Sequence, residues 1–155
     1  MKEVRELLLN SDQVKEAWWD GCREMWQEVF GDSDAYLEYY RKYKWQENQV
    51  LALVSGQKEL YSMLHINSYI WQTGSQRQTL PYIVAVSTRE SQRGKGYMGR
   101  LLRSTFQLLY QQNIPWAYLM PAAEAIYTPY QFCSVYYGRS YLDHFSSAPF
   151  GERSD

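Results

Sequence analysis

The chain has 155 residues, enough for one ordinary domain and too few for two. Its 16 Lys and Arg residues nearly balance 17 Asp and Glu residues, and 45% of the chain is hydrophobic. This balance excludes a disordered tail protein and argues against a nucleic-acid binder that depends on bulk positive charge. Aromatic residues make up 17% of the chain, and because these rings combine apolar area with a polar tip, we expect some to line a site.

The two cysteines, Cys22 and Cys133, are far apart and form no Cys-x-x-Cys motif. We therefore predict two reduced thiols, with neither a disulfide framework nor a metal site. The charged start of the chain and the short apolar run Leu7–Leu9 do not fit a signal peptide or a membrane span. These features predict a cytoplasmic protein without a membrane or a nucleic acid as partner.

The first third of the chain predicts one strand and two helices. Val4–Leu9 has the composition of a strand, and Ser11 or Asp12 then caps a helix that ends at Phe30. A second helix is expected to open within residues 32–34. Apolar residues recur at helical spacing along the first helix, namely Val14, Ala17, Trp18, Cys22, Met25, Trp26 and Val29.

From Gln49 the apolar period changes from about 3.6 to about 2, which predicts strands over residues 50–54, 60–71 and 78–88. A hairpin turn separates the first two of these strands. Alternation along the middle strand places one set of side chains on a single face, namely Tyr61, Met63, His65, Asn67, Tyr69 and Trp71.

The second half predicts a long helix with apolar residues from Met98 to Leu109. A short strand over Ile114–Met120, a short helix over Ala122–Tyr130 and a last strand near Ser134–Tyr137 follow. Hairpins combined with a crossover helix predict an α/β fold in which a mixed sheet is flanked by helices.

A glycine-rich segment, Arg93–Gly99, lies between a predicted strand and the start of the long helix. Free N–H groups and the helix dipole favour an anion there, and glycine lets the backbone approach it closely. A pyrophosphate-binding loop is one interpretation, and a glycine-rich turn with two solvated cations is the other. The spacing of Gly94 and Gly96 excludes a Walker loop, and the late position of the glycines does not fit a Rossmann loop.

The segment Val86–Tyr97, followed by two leucines, resembles the acetyl-CoA loop of the GNAT N-acetyltransferases, with Gly94 and Gly96 on the family's glycines and Ser91 at its leading position. Other segments resemble the Eis-type (enhanced intracellular survival) subfamily. The resemblance runs from about Val50 to Phe132, and the segments that carry it are Met63–Asn67, Pro81–Val84 and Leu119–Phe132.

The resemblance implies a GNAT fold: a mixed, twisted sheet flanked by helices, with two strands splayed near Thr88 and Met120 to admit acetyl-CoA as co-substrate. The strand end would hold the pantetheine arm, and a backbone N–H there would stabilise the oxyanion. Side chains of Arg93, Lys95 or Arg100 would add charge. The strand-end residues are Val86, Ser87 and Thr88, and the backbone that would bind the pyrophosphate is that of Gly94, Lys95, Gly96, Tyr97, Met98 and Gly99.

The resemblance also implies transfer of acetyl to a primary amine by direct attack in a ternary complex. Tyr127 aligns with the subfamily's general acid, and Tyr130 is the second candidate; packing of the helix against the sheet is the alternative for both. His65 and Glu124 are candidate bases, with a hydrogen-bonded structural histidine and a helix cap as their alternatives. A base supplied by water or by a partner chain also stays open.

We expect one GNAT domain over residues 1–155, with 133–155 as an incomplete or atypical C-terminal part. The acceptor would be a small molecule or a lysine side chain, and Tyr61, Tyr69 and Trp71 would border its site. Homo-oligomers, and further domains in longer relatives, stay open. The alternative function is a catalytically degenerate GNAT domain that binds acyl-CoA as a sensor or assembly module.

Overall fold

The computed structural model describes residues 3–135, and an antiparallel sheet of four strands forms its framework. The strands lie side by side in sequence order. β1 pairs directly with β2, although three helices separate the two strands in the chain. The predicted sheet flanked by helices is confirmed. The strands are β1 Val4–Leu9, β2 Gln49–Ser55, β3 Leu60–Thr73 and β4 Gln76–Thr88.

The chain divides into two compact units, a first that ends at Ala122 and a second that begins at Ala123. The sheet belongs to the first unit together with four helices, and the second unit opens with a fifth. The helices are α1 Asp12–Glu16, α2 Trp19–Phe30, α3 Asp34–Tyr40, α4 Tyr97–Gln111 and α5 Glu124–Tyr127. α3 continues into a π-helical turn over Arg41–Trp45, and α5 continues into a 3-10 turn over Thr128–Tyr130.

Helices cover both faces of the sheet. Since successive residues of a strand point to opposite faces, β2 can be buried on both sides. Val50, Ala52 and Val54 pack into a core with residues of α2 and α3. Leu51 and Leu53 are also buried and alternate to the opposite face, where α4 contacts the sheet. Within residues 3–135, no helix is long and apolar enough to cross a membrane.

The single helix predicted from Ser11 or Asp12 to Phe30 is wrong, because the chain breaks at Trp18 into α1 and α2. Val14, which the helical spacing assigned to the core, is 43% exposed, whereas Lys15 is buried. The ammonium of Lys15 donates to the carbonyl oxygen of Asn48 at 2.8 Å. The break thus allows α1 to bury the aliphatic stem of Lys15 while its charged end keeps a polar partner.

The strand predicted over Ile114–Met120 is also wrong, since this segment makes only one parallel bridge, between Tyr82 and Tyr118. Ile83 N donates to the Tyr118 carbonyl at 2.8 Å, and Tyr118 N donates to the Pro81 carbonyl at 3.1 Å. Pro115 interrupts the segment and has no N–H to donate to a ladder. The parallel part of the predicted mixed sheet therefore shrinks to this bridge, beyond which no backbone hydrogen bond joins residues 84–88 to 119–122. The separation of two strands near Thr88 and Met120 stays a prediction.

Two further expectations concern the end of the described chain. The helix predicted over Ala122–Tyr130 is shorter, because α5 ends at Tyr127 and Pro129 directs the chain into the 3-10 turn. The last predicted strand, near Ser134–Tyr137, falls partly outside the described residues; Ser134 and Val135 are not in a strand.

A polar cluster lies inside the core between β3 and the helices. The hydroxyl of Tyr40 contacts three side chains: Asn48 Nδ2 at 2.9 Å, His65 Nδ1 at 3.0 Å and Asn67 Oδ1 at 3.0 Å. All four residues of this cluster are buried. Because a buried polar group without a partner is costly, the contacts of the Tyr40 hydroxyl help to stabilise the cluster in an apolar core.

We predict that Tyr40→Phe lowers the free energy of unfolding by about 1–3 kcal/mol, because it removes the hydroxyl that contacts three buried polar side chains. Urea unfolding monitored by circular dichroism measures this change. Tyr39→Phe is the matched control, since Tyr39 is the neighbouring residue and is 63% exposed. Equal stability of the two variants would contradict a structural role for the hydroxyl.

Candidate functional site

The ladder between β3 and β4 is irregular where β4 approaches its end. Met63 pairs with Ser87 and His65 pairs with Val84, so β4 has one residue more than β3 over this interval. Ala85 lies in that interval with φ of 53°. A bulge of this kind leaves backbone groups without ladder partners and is frequent beside active sites. The predicted strand end, Val86–Thr88, thus begins within a bulge.

Ser62 of β3 holds the end of β4 in place. Its hydroxyl donates to the Ser87 carbonyl at 2.8 Å and lies 2.9 Å from the hydroxyl of Thr88. Ser87 is buried and its own hydroxyl donates to the Ala85 carbonyl at 3.2 Å. The position of the strand end is therefore determined by side chains as well as by the ladder.

Two glycines give the loop after β4 its conformation. Gly94 has φ of 76° and Gly96, the N-cap of α4, has φ of 74°. A Cβ atom at either position would meet no atom within 4 Å. Glycine is therefore required here by the left-handed backbone and not by lack of space. Gly96 directly precedes the first turn of α4, whose N–H groups have no partner within the helix.

The charges around the start of α4 favour an anion. The first turn of the helix contains no acidic residue, and the helix dipole is positive at this end. Arg93 donates to the Thr88 carbonyl at 3.3 Å and Lys95 donates to Gln92 Oε1 at 2.6 Å, and both residues are exposed. Arg100 instead pairs with Glu6 of β1 at 3.3 Å. The predicted loop residues from Arg93 to Gly99 thus lie together, and Arg100 is directed to the sheet.

Sequence reasoning missed Arg89, the residue that ties this loop to α2. Its Nη1 lies 2.8 Å from Glu28 Oε2 and its Nη2 lies 3.8 Å from Glu24 Oε2. Its Nε donates to the Leu60 carbonyl at 2.8 Å. The carboxylate of Glu28 also accepts from the N–H of Glu90 at 3.3 Å. No sequence signal connects Arg89 with glutamates on a helix that lies some sixty positions earlier in the chain.

His65 is fully buried in the polar cluster around Tyr40. Its ring packs among those of Trp26, Tyr40 and Trp45, with centroids 5.3, 5.8 and 5.7 Å away. Burial, followed by the charge of Lys15, lowers the pKa of His65 to about 3, so the imidazole is neutral at neutral pH. These surroundings favour a structural role for His65 over the role of a catalytic base.

The other three predicted catalytic residues lie in the second unit. Glu124 and Tyr127 begin and end α5, one turn apart. The carboxylate of Glu124 accepts from Ser134 Oγ at 2.6 Å, and Tyr127 packs edge-to-face on Phe132 at 5.7 Å. Tyr127 and Tyr130 are half-buried, whereas Glu124 is exposed. Their catalytic roles stay predictions.

The three aromatic residues expected beside the acceptor do not lie together. Tyr61 is the extra residue of a bulge in β3, since Leu53 pairs with Ser62 and Val54 with Leu60. Its ring stacks on Tyr97 of α4 at 6.1 Å, with an angle of 8° between the planes. The bulge removes Tyr61 from the strict alternation, so its expected place beside Tyr69 and Trp71 is wrong.

In residues 3–135, no group of three or more His, Cys, Asp or Glu side chains is arranged to hold a metal ion. The candidate site consists of three adjacent parts of the chain: the end of β4 with its bulge, the glycine loop and the start of α4.

We predict that Gly96→Ala lowers the free energy of unfolding by about 1–2 kcal/mol, because a Cβ is unfavourable at positive φ. Thermal unfolding measures the change. Gly56→Ala is the control, since Gly56 also has open space around it but no positive φ. Equal melting temperatures for the two variants would show that the loop can relax out of the left-handed conformation.

Residues 10–134 match the family model of the acetyltransferase (GNAT) domain. No curated protein matches the chain. Among solved structures, a probable N-acyltransferase from Enterococcus faecalis is similar, with 16% identity over 84% of this chain and 32% of its own, at a TM-score of 0.73. A GCN5-related N-acetyltransferase from Kribbella flavida has 21% identity over 83% of this chain and 32% of its own, at a TM-score of 0.64.

A third similar structure, an aminoglycoside N-acetyltransferase in complex with CoA, has 8% identity over 93% of this chain and 97% of its own, at a TM-score of 0.71. The chain spans about a third of the length of the Enterococcus and Kribbella proteins. At these identities the structures support the fold. Because the family model covers most of the sequence, including the bulge, the loop and α4, the chain belongs to the GNAT acetyltransferase family.

Proposed function

We propose that this chain transfers the acetyl group of acetyl-CoA to a primary amine, with both substrates bound together. The observation that carries this proposal is the glycine loop at the start of α4. Its left-handed glycines, its exposed cations and the N–H groups of the first helical turn fit the pyrophosphate of CoA. Acetyl-CoA supplies the activated thioester, and the amine attacks it directly.

The residues at the end of β4 would lie along the pantetheine arm. The bulge at Ala85 gives backbone groups there that the ladder does not use. Such groups can donate to a polarised carbonyl oxygen, which is the usual way in which a protein favours acyl transfer. Ser62 would keep them in position through its contacts with Ser87 and Thr88.

We further propose Tyr127 as the group that gives a proton to the departing thiolate. The proposal is supported by the resemblance of residues 119–132 to the Eis-type subfamily. A phenol with a pKa near 10 can protonate the thiolate of a thiol with a pKa near 8.5 once the two are in contact. Tyr130 is the second candidate. Glu124 is the side-chain candidate for accepting the proton of the ammonium, with water or a partner chain as the alternatives.

The function is tested by adding acetyl-CoA alone and then with amines. Acetyl-CoA at a hundred times its Kd should stabilise the fold by about 2.7 kcal/mol and raise the melting temperature. Release of free CoA thiol should then depend on the amine. A thermal shift without thiol release would favour the alternative of an acyl-CoA sensor, and the absence of any shift would overturn the proposal as a whole.

We predict that Tyr127→Phe lowers kcat by about 10²-fold, since it removes the proton donor, and leaves the affinity for acetyl-CoA nearly unchanged. Steady-state kinetics and calorimetric binding of acetyl-CoA measure the two quantities. Tyr130→Phe is the matched variant and should retain most of its activity. Full activity of Tyr127→Phe, or a loss confined to Tyr130→Phe, would overturn the assignment.

A further inference from the structure

Four aromatic side chains form a continuous surface on the first unit, which we call the aromatic face. Tyr69 packs on Tyr82 with centroids 5.9 Å apart, Tyr82 on Tyr118 at 5.0 Å, and Tyr118 on Trp71 at 5.0 Å. Tyr69 and Trp71 belong to β3, Tyr82 to β4, and Tyr118 to the segment that bridges β4. Three different parts of the chain thus place their rings together.

The aromatic face lies where the β3–β4 hairpin extends past β2. The pairing of β2 with β3 reaches only Ile66, whereas β3 and β4 stay paired to the end of the hairpin. The rings are consequently not fully covered, and Trp71 is 45% exposed. An aromatic surface that is open to solvent and assembled from three segments is available to a ligand.

The electrostatics of the aromatic face suit a cation. Burial, followed by the neighbouring phenols of Tyr118, Tyr69 and Tyr36, raises the pKa of Tyr82, so this hydroxyl is neutral at neutral pH. The faces of neutral aromatic rings are electrically negative and attract ammonium groups.

One ring of the aromatic face already holds an ammonium group. The Nζ atom of Lys44 lies 4.1 Å from the ring centroid of Tyr69. Among the described residues, no carboxylate lies within ion-pair distance of this ammonium. The contact with the ring, and not a counter-ion, is therefore the interaction that the structure shows for Lys44.

We propose that the aromatic face binds a second ammonium group on the acceptor, so that the preferred acceptors are diamines and polyamines, and that Lys44 occupies the Tyr69 ring when no acceptor is bound. This inference rests on the proposed function for its reacting amine. Tyr82 lies three residues before Ala85 on β4, which is roughly 10 Å along a strand. One strand would thus present the reacting end and the distal ammonium of the same acceptor.

The kinetic test compares 1,8-diaminooctane, whose extended chain spans the distance between the two ends of the site, with octylamine, which has the same chain but a single amine. We expect the diamine to have the lower KM. Tyr69→Leu should raise the KM of the diamine about 2–5-fold, the size of one cation–π contact, and leave that of octylamine unchanged. Lys44→Met should lower the KM of the diamine by up to the same factor, because the competing ammonium is gone.

Matched controls come from a second lysine–tyrosine pair. The ammonium of Lys42 lies 5.0 Å from the ring of Tyr43, outside the aromatic face. Lys42→Met and Tyr43→Leu should leave both KM values unchanged. If Lys42→Met and Lys44→Met changed the KM of the diamine equally, the change in net charge would explain the result, and the proposal would be overturned.

A binding experiment without acetyl-CoA separates this inference from the proposed function. Calorimetric titration of the wild type should show tighter binding of the diamine, and the difference should disappear in Tyr69→Leu. Diamine binding that depends on Tyr69, without thiol release from any amine, would overturn acetyl transfer and keep the cation site. Thiol release with equal KM values for both amines would overturn the cation site and leave the proposed acetyl transfer intact. The same conclusion would follow if Tyr69→Leu changed the KM of phenylethylamine as much as that of the diamine.

Discussion

The antiparallel ladder between β3 and β4 is the constraint on which the rest of the site depends. It pairs the strands from Thr73 and Gln76 at the hairpin to Ser62 and Thr88 at the far end. The irregular step that includes Ala85 divides the ladder into a regular part and a displaced end. The regular part carries the aromatic face, and the displaced end leads into the glycine loop. A change of one residue in this register would reverse the faces of all the side chains concerned.

The loop itself is held from two sides. On one side Arg89 joins it to Glu24 and Glu28 of α2 and to the backbone of β3. On the other side Gly96 begins α4, whose buried residues, among them Leu101 and Leu102, pack onto the sheet. A site for an anion gains from such fixation, because N–H groups that are already oriented need no further ordering when the ligand binds.

The polar cluster around Tyr40 shows how packing changes the properties of a candidate catalytic residue. From the sequence, His65 stands on a strand among tyrosines and has a suitable pKa for a base. The fold adds Trp26 and Trp45 around its ring and a hydroxyl at Nδ1, which together remove it from water. Burial then disfavours the protonated form, and this effect depends on packing from helices distant in sequence.

Several features of this protein were determined by its sequence alone, because their physical causes are local. The four strands, α4 and the glycine loop follow from apolar periodicity and from residues that accept positive φ, and the loop identified the family. The break at Trp18, the loss of a strand at Ile114–Met120 and the burial of Lys15 depended on the tertiary structure. So did the pairing of Arg89 with α2 and the meeting of Tyr69, Tyr82 and Tyr118. These contacts join residues far apart in the chain, and only the packed fold decides which distant groups share one environment.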